Sequence, residues 1–578
     1  LYDDDAYVEA GGAALGLMGR QVAGRGFLEA YLAHGAFSEL AAVAATRESA
    51  ESLVRLWNQA RSPLPGRAPR TLRVIERGTF HENFFPDPPA TVVHAPQPPD
   101  PALAWARQRA GSHGFALSGV THTLASRDAA ALLRELVTAP FQPYDTLFCT
   151  SRAVASMVAE VTETYSGYLR DRMCRGEPAA YLARSTPVRL ETIPLGVDVD
   201  RFRPATHAER ISARKTLDVT DDEVVILFVG RLSHHAKAHP FPLYRAASEA
   251  ALGTGRKVHL ILAGWAAHPA VRAAFADGAK TFAPAARVSI VDGRDPGLRS
   301  RVWHAADLFA SPSDSVQETF GLAVAEAMAS GLPVVASDWD GYRDLVSDGQ
   351  TGFLVPTTMV PFATADLTAR LLTGETGYDH FLAEIGQTTM VDTAAMTAAI
   401  TRLVADSALR RQMGMAGRER ACSEFAWPSI IRAYERVWSE QDAERLARNR
   451  ACNDDQTKKF RDQMGPAAYP APERTFAGYP TRQLAPADHL LPGPSAAEML
   501  DLLLDAPLTN HIAGRRVADR ALLHAALSRA PCSVADLDAL WSSAGVELRV
   551  ARATLGWMLK YDLLCLTWSQ SPDDETHG

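Results

Sequence analysis

Short apolar runs alternating with amphipathic stretches dominate the middle of the chain. Val224–Val229 reads VVILFV and stops at Gly230, and Val258–Ala263 reads VHLILA and stops at Gly264. Val288–Val291, Leu308–Ala310 and Pro333–Ala336 are three more short runs, with helical patterns rich in Ala, Leu and Arg between most of them. Short, nearly continuous apolar strands separated by helices predict a parallel sheet with helices on both faces. Ligands in such sheets bind beyond the carboxyl ends of the strands.

The first third of the chain follows the same grammar less clearly. A glycine-studded stretch, Gly11–Gly19, leads into a helix near Arg20–His34, and Thr91–His94 and Thr146–Cys149 look like strand ends. The pattern predicts an α/β chain with a first domain over 1–195, a second over 196–440 and a join near Pro194–Arg203. Phe362–Met390 is only weakly periodic and reads as an inserted excursion; helical patterns resume at Thr393–Ala405 and run to about Glu440. Residues 441–494 carry charge clusters and then a Pro/Gly-rich stretch, the composition of a linker. Over 495–578 a small unit follows. Ser533 and Asp536 form a capping-box-like helix start, Val550–Leu559 is a second helical pattern, and Leu563–Trp568 could be a strand. Helices followed by an apolar strand suggest a mainly helical, winged-helix-like module. No internal repeat is present.

Composition narrows the function classes. The 578 residues are 47% hydrophobic and 22% charged, ordinary globular values that exclude a wholly disordered chain. Lys and Arg number 59 against 67 Asp and Glu, a net charge of −8, so a nucleic-acid or membrane coat is not expected. From Arg515 onward seven Lys/Arg face eight Asp/Glu, without the basic footprint of a DNA reader. The terminal module is therefore expected to meet a protein partner, another copy, or the body of the chain rather than nucleic acid. The six cysteines form no CxxC pair, which fits a reducing, cytoplasmic setting better than a disulfide framework. No apolar run is long enough to span a bilayer, and the acidic Leu1–Asp5 lacks the basic start of a signal peptide.

Two segments carry candidate chemistry. The first is Glu318-Thr-Phe-Gly-Leu-Ala-Val-Ala-Glu326, whose glutamates are separated by seven residues. Gly321 and the Ala-rich run after it start a helix. The backbone N–H groups of Phe320, Gly321 and Leu322 would lie at its tip, where free donors and the helix dipole favour a phosphate. Glu326 is the one charged residue in GLAVAEAMASG. Burying it requires a hydrogen-bond donor such as a sugar hydroxyl; exposure on an amphipathic helix is the alternative. The second segment is Gly230-Arg231-Leu232-Ser233, with Lys237 six residues after Arg231. Two cations in a loop that follows a strand could neutralise a diphosphate, or could simply be solvated.

Taken together, IPLGVDVDRF, FVGRLSHHAK, LILAG, ADLFASPSDSVQETFGLAVAEAMASGLPVVASDWDG and DGQTGFLVP resemble the retaining, GT-B-fold glycosyltransferases of the glycosyltransferase 4 type. The match is dense from about 190 to 357 and looser over 395–440. The resemblance implies two Rossmann-like domains closing over a nucleoside diphosphate sugar, with no cofactor and no metal. It implies that Arg231 and Lys237 contact the donor diphosphate, Glu318 lies by the donor sugar, and Glu326 binds the ribose. Leu195 departs from the pattern, standing where the family often has Asn.

In the N-terminal half, Gly12, Gly16 and Gly19 resemble the family's glycine-rich first loop, and His122 stands where a residue could hydrogen-bond near the reacting sugar. Glycines in a flexible turn and a structural histidine remain the alternatives there. Asp338-Trp-Asp340 spells a metal-binding DxD and His234, His235 and His239 cluster, but each is too sparse a ligand set to predict a metal. The expected activity is transfer of a sugar, with retention, to an acceptor that is a glycan, a lipid-linked glycan, a protein or a small molecule. A non-catalytic nucleotide-sugar sensor and a GT-B epimerase or phosphorylase are the competing readings.

Overall fold

The computed structural model describes residues 1–7, 19–60, 70–77, 80, 88, 90–108, 111, 113–122, 124–173, 188–361, 365–451, 468, 470–509 and 520–567. They fall into two compact units, within Leu1–Tyr469 and within Pro470–Gly578.

Among the described residues, the first unit contains three parallel sheets. In its N-terminal part, β1 (Glu39–Ala44) pairs in parallel with β2 (Thr71–Glu76). A four-stranded parallel sheet follows: β3 (Val92–Ala95), β4 (Ala116–Val120), β5 (Thr146–Cys149) and β6 (Arg189–Thr192), in that spatial order. Every residue of β4 and β5 is buried, the signature of strands covered on both faces. Sequence patterning overlooked β1, whose ELAAVA has the low β-propensity of alanine.

The C-terminal part is built on six parallel strands: β7 (Glu223–Val229), β8 (Lys257–Gly264), β9 (Arg287–Asp292), β10 (Leu308–Ser311), β11 (Val334–Ser337) and β12 (Gly352–Val355), ordered β12-β11-β10-β7-β8-β9. Alternate residues of β7 feed two cores. Val224, Ile226 and Phe228 pack with helices Phe241–Thr254 and Thr393–Ala405, while Val225 and Leu227 pack with helix Leu322–Ala329. This is the doubly covered sheet that the apolar runs predict.

Three boundaries differ from the sequence reading. The excursion at Phe362–Met390 contains two short helices, Ala365–Thr373 and Tyr378–Gly386. They are framed by an antiparallel pair, β13 (Thr357–Met359) and β14 (Thr389–Val391). Leu367 and Leu382 are the leucines these two helices bury, at 2% and 1% exposure, too little apolar burial to leave a strong period. The second domain was expected to end at 440 and a linker to begin at 441. Instead, helix Trp427–Ala451 runs through that point and packs back on the N-terminal sheet. Ile430, Tyr434 and Val437 meet Val120, Phe148 and Ile193, and the buried Gln441 amide donates to the carbonyls of Leu117 and Tyr144 (3.1 and 2.8 Å). Among the described residues, Glu444, Arg448 and Arg450 of the charged stretch that imitated a linker lie on the exposed face of this helix. The expected edge at 494/495 also moves: β15 (His489–Pro492) is the central strand of the second unit's antiparallel sheet, between β16 (Cys532–Ser533) and β17 (Leu564–Leu566).

In that second unit, helices Ala496–Asp505, Arg520–Arg529, Val534–Ser543 and Leu548–Lys560 pack on Leu490, Leu523, Leu537, Trp541 and Leu555. The capping box joining Ser533 and Asp536 is present. Among the described residues, no helix is long and apolar enough to cross a membrane.

Candidate active site

A cleft of about 1190 Å³ opens beyond the carboxyl ends of the four-stranded and six-stranded parallel sheets of the first unit. The loop after β7 supplies two of its cations. A Cβ on Gly264, at the end of β8, would lie 1.9 Å from the Gly230 carbonyl, so only glycine lets these strand ends close up and turn the loop into the cleft. Arg231 Nη2 donates to Gln317 Oε1 at 3.0 Å, and Lys237 Nζ donates to Glu318 Oε2. Ser313 Oγ donates to the Lys237 carbonyl at 3.0 Å and ties the end of that loop to the segment after β10. The two cations therefore reach neighbouring residues of the segment that leads into helix Leu322–Ala329.

The turn into that helix is shaped by Gly321. Its φ is +102°, a left-handed conformation, and a Cβ there would lie 2.3 Å from the Tyr342 ring. Phe320 is buried at 1% exposure and anchors the turn. Gly321 and Leu322 line the cleft, so the helix tip, with the free N–H groups any helix start leaves, faces it.

The two glutamates have different environments. Glu318 is almost enclosed, its side chain 10% exposed. Burial pushes its carboxyl up, but the Lys237 ammonium, the Thr319 backbone N–H and the Tyr342 hydroxyl outweigh burial and hold it below the usual value. Tyr342 Oη donates at 3.3 Å and also lies 2.8 Å from Ser311 Oγ. Glu326 is half-buried in the cleft wall. Burial pushes its carboxyl up to about 7, offset only in part by the charges of Arg201, Arg299 and Lys237. Burial and exposure were the alternatives for this carboxylate on its otherwise apolar helix, and it lies between the two.

The N-terminal half closes the other side. The His122 carbonyl accepts from Thr319 Oγ1 at 2.8 Å, and Thr150 Oγ1 donates to the Thr319 carbonyl at 3.2 Å. Loops after β4 and β5 thus grip the residue next to Glu318. His122 and Gly19 line the cleft, whereas Gly12 and Gly16 lie outside the described residues.

The two metal-like motifs resolve into other contacts. Asp338 binds Arg343 Nε (2.7 Å), and Asp340 accepts from Ser151 Oγ (2.8 Å), with its carboxyl pushed up by burial to about 7. The His234 ring lies edge-on to those of His235 and His239. Among the described residues, no group of three or more His, Cys, Asp or Glu is placed to hold a metal ion.

Sequence reasoning missed several residues in or beside the cleft. Thr319, Gln317 and Tyr342 act through contacts with Glu318 and Arg231 that no spacing rule encodes. Arg201 and Arg299 also line the cleft. Arg201 stood inside the quoted IPLGVDVDRF and could have been singled out, whereas Arg299 lies on a helix with no distinguishing pattern.

Residues 223–374 match a protein family described as "Glycosyl transferases group 1". An alpha-maltose-1-phosphate synthase from Mycolicibacterium smegmatis is 30% identical over 346 residues, covering 59% of this chain and 76% of that protein. A D-inositol 3-phosphate glycosyltransferase from Nocardia farcinica is 36% identical over 170 residues, 29% of this chain and 36% of the relative. The match thus spans little more than a third of that relative's length. Among solved structures, a sucrose-phosphate synthase from Thermosynechococcus elongatus aligns with a TM-score of 0.43 and 20% identity, covering 74% of this chain and 94% of that one.

Proposed function

The chain belongs to the GT-B glycosyltransferases of the glycosyltransferase 4 type, and on that premise we propose that it transfers a sugar from a nucleoside diphosphate sugar to an acceptor with retention at the anomeric carbon. One observation carries the reading: Arg231 and Lys237 reach Gln317 and Glu318, immediately before a helix tip that opens on the cleft. Breaking the anomeric C–O bond leaves negative charge on the departing diphosphate. Two fixed cations and the helix tip stabilise that charge more than the ground state, which is catalysis by preorganised electrostatics. Arg231 meets the diphosphate as a fork and Lys237 as a point charge.

In this reading Glu318, held ionised by Lys237 and Tyr342, orients hydroxyls of the donor sugar. Glu326 accepts from the ribose, and Gly19 and His122 line the reacting end. Gly12 and Gly16 would belong to the same first loop as Gly19. The diphosphate charge is met by protein cations, so transfer is proposed to need neither metal nor cofactor. Turnover unchanged in excess EDTA is the expected result, and recovery only on adding Mg²⁺ or Mn²⁺ would refute that part. Free thiols at Cys149 and Cys532, both buried, support a reducing, cytoplasmic setting. The unit at 470–578 is proposed to contact a protein partner or another copy.

The test begins with a thermal-shift screen of UDP, GDP, ADP and their sugars, because a ligand of the folded state raises Tm. Release of nucleoside diphosphate is then followed with and without cell extract as acceptor source. Acceptor-dependent release supports the transferase. Tight binding without release points to the sensor, acceptor-free hydrolysis to an epimerase, and phosphate-dependent release to a phosphorylase.

A further inference from the structure

Helix Arg152–Met173 of the N-terminal half starts against a loop of the C-terminal half. Three consecutive residues reach across. Thr150 Oγ1 donates to the Thr319 carbonyl, Ser151 Oγ to Asp340 Oδ1 at 2.8 Å, and the Arg152 backbone N–H to Asp344 Oδ2 at 2.7 Å. The Arg152 guanidinium Nε also donates to Asp344 Oδ1. Ser151 is fully buried and caps its own helix, its Oγ accepting from the Val154 N–H at 3.2 Å. Two carboxylates of one half therefore meet the tip of a 22-residue helix of the other, where free N–H groups and the dipole favour them. Asp340 does so with φ at +44°, a left-handed backbone that residues with a side chain seldom adopt. Such a backbone persists where its surroundings fix it.

The loop that carries these carboxylates belongs to the donor side of the cleft. A Cβ on Gly341 would lie 2.5 Å from the Phe320 Cα, so the turn presses on the segment between Glu318 and the helix tip. Tyr342, next along, donates to Glu318. From behind, Arg420 Nη2 donates to the Asp344 carbonyl at 2.9 Å. Glu318 and this loop form one packed body, and the crossing contacts set its distance from the wall that carries His122. Resting on the functional reading above, we propose that Ser151, Asp340 and Asp344 are positioning residues: they clamp the N-terminal half to the donor side, holding the acceptor against the donor sugar and water out of the cleft. None of the three supplies a group to the reacting atoms.

Asp340→Gly is the first variant, since glycine accepts the left-handed backbone and only the carboxylate is lost. Asp340→Asn keeps an acceptor oxygen and tolerates the same backbone. Asp340→Gly/Asp344→Ala removes both carboxylates. In the full chain, hydrogen exchange over the first turn of helix Arg152–Met173 reads the clamp directly. It should quicken about three- to tenfold in Asp340→Gly, more in the double variant, and stay near wild type in Asp340→Asn, with Tm not lowered in Asp340→Gly. Arg231, Lys237 and the helix tip all belong to the C-terminal half, so inorganic pyrophosphate, measured by calorimetry, should bind within about twofold of wild type throughout. With a turned-over nucleoside diphosphate sugar and cell extract as acceptor source, acceptor-dependent release should fall about tenfold in Asp340→Gly. Acceptor-free hydrolysis should hold or rise, as expected when the halves part and admit water. Unchanged exchange, or an unchanged ratio of transfer to hydrolysis, in the double variant overturns the proposal and leaves the transferase reading standing. So does pyrophosphate binding that weakens in step with transfer, because the fault would then lie in the diphosphate subsite. If the wild type shows no acceptor-dependent release from any sugar of UDP, GDP or ADP, the transferase reading itself fails and takes this inference with it.

Discussion

Two ion pairs in the first unit, one buried and one open to the cleft, use the same chemistry to opposite ends. Arg107 and Asp145 are 1% and 0% exposed. Two guanidinium N–H groups donate to the two carboxylate oxygens at 2.8 Å, and the same guanidinium reaches the carbonyls of Phe115 and Pro140. The carboxylate also takes the N–H groups of Leu117 and Gln142. The pair joins four backbone points around β4 and β5 and leaves no room for a ligand. Lys237 and Glu318 are 26% and 10% exposed, and both line the cleft. Their partners are fewer and one side faces open volume. A closed pair fixes the chain; an open pair holds charge ready for something that arrives.

The largest expected effect breaks the closed pair. Asp145→Ala strands a buried guanidinium and should cost roughly 3–5 kcal/mol of stability. Chemical denaturation would measure it, and whatever fraction folds should keep its specific activity. If Asp145→Ala instead melted like wild type, the closed pair would not be the structural element described. Next comes the open pair. Lys237→Ala removes one preorganised charge and should lower kcat roughly 10²–10³-fold. Tm should shift little, because Lys237 is partly solvated. The same change leaves burial of Glu318 unopposed by its cation, so its carboxyl should move up from its lowered position. Near-normal turnover in Lys237→Ala would collapse the distinction between the two pairs.

The two pairs also differ in how readable they were. Arg231, Lys237, Glu318 and Glu326 stand in segments whose order along the chain already implies a place: a strand, a glycine, then a loop; a glycine, then a helix. Local rules suffice because each residue's position follows from its own element. Arg107 and Asp145 lie 38 positions apart in the least regular part of the chain, and their meeting depends on how a helix and a strand pack. The closing helix shows the converse failure. Its charged solvent face, seen without the sheet under Gln441 and Arg445, has linker composition, and only the carbonyls of Leu117, Tyr144 and His113 reveal it as an interior strut. The parallel sheets were legible because burial on both faces writes itself into consecutive residues; the hairpin at 365–386 was not, because little of it is buried.

The smallest expected effect is one of pH and sharpens what an open pair's neighbourhood does. Glu326 has its carboxyl raised by burial to about 7 in the ligand-free cleft. A ribose hydroxyl donates best to the ionised form, so binding should favour loss of that proton. Below about pH 7 the proton must leave for the ligand to bind, and affinity for the nucleoside diphosphate should rise toward tenfold per pH unit as pH increases, then level off above. Glu326→Gln should flatten that rise while leaving pyrophosphate binding in place, since the ribose is missing from that probe. The ligand-free fold responds in the opposite sense. An unfolded glutamate releases its proton near ~4.3, so the folded state binds more protons between there and about 7 and loses stability as pH rises across that interval. Asp314 and Asp340, raised by burial to about 7 as well, add to the same slope, so melting curves alone would not isolate Glu326. The ligand titration does. A nucleoside diphosphate affinity flat from pH 5.5 to 7.5 in the wild type would mean that Glu326 does not meet the ribose, and the open side of the cleft would then owe its selectivity to the cations alone.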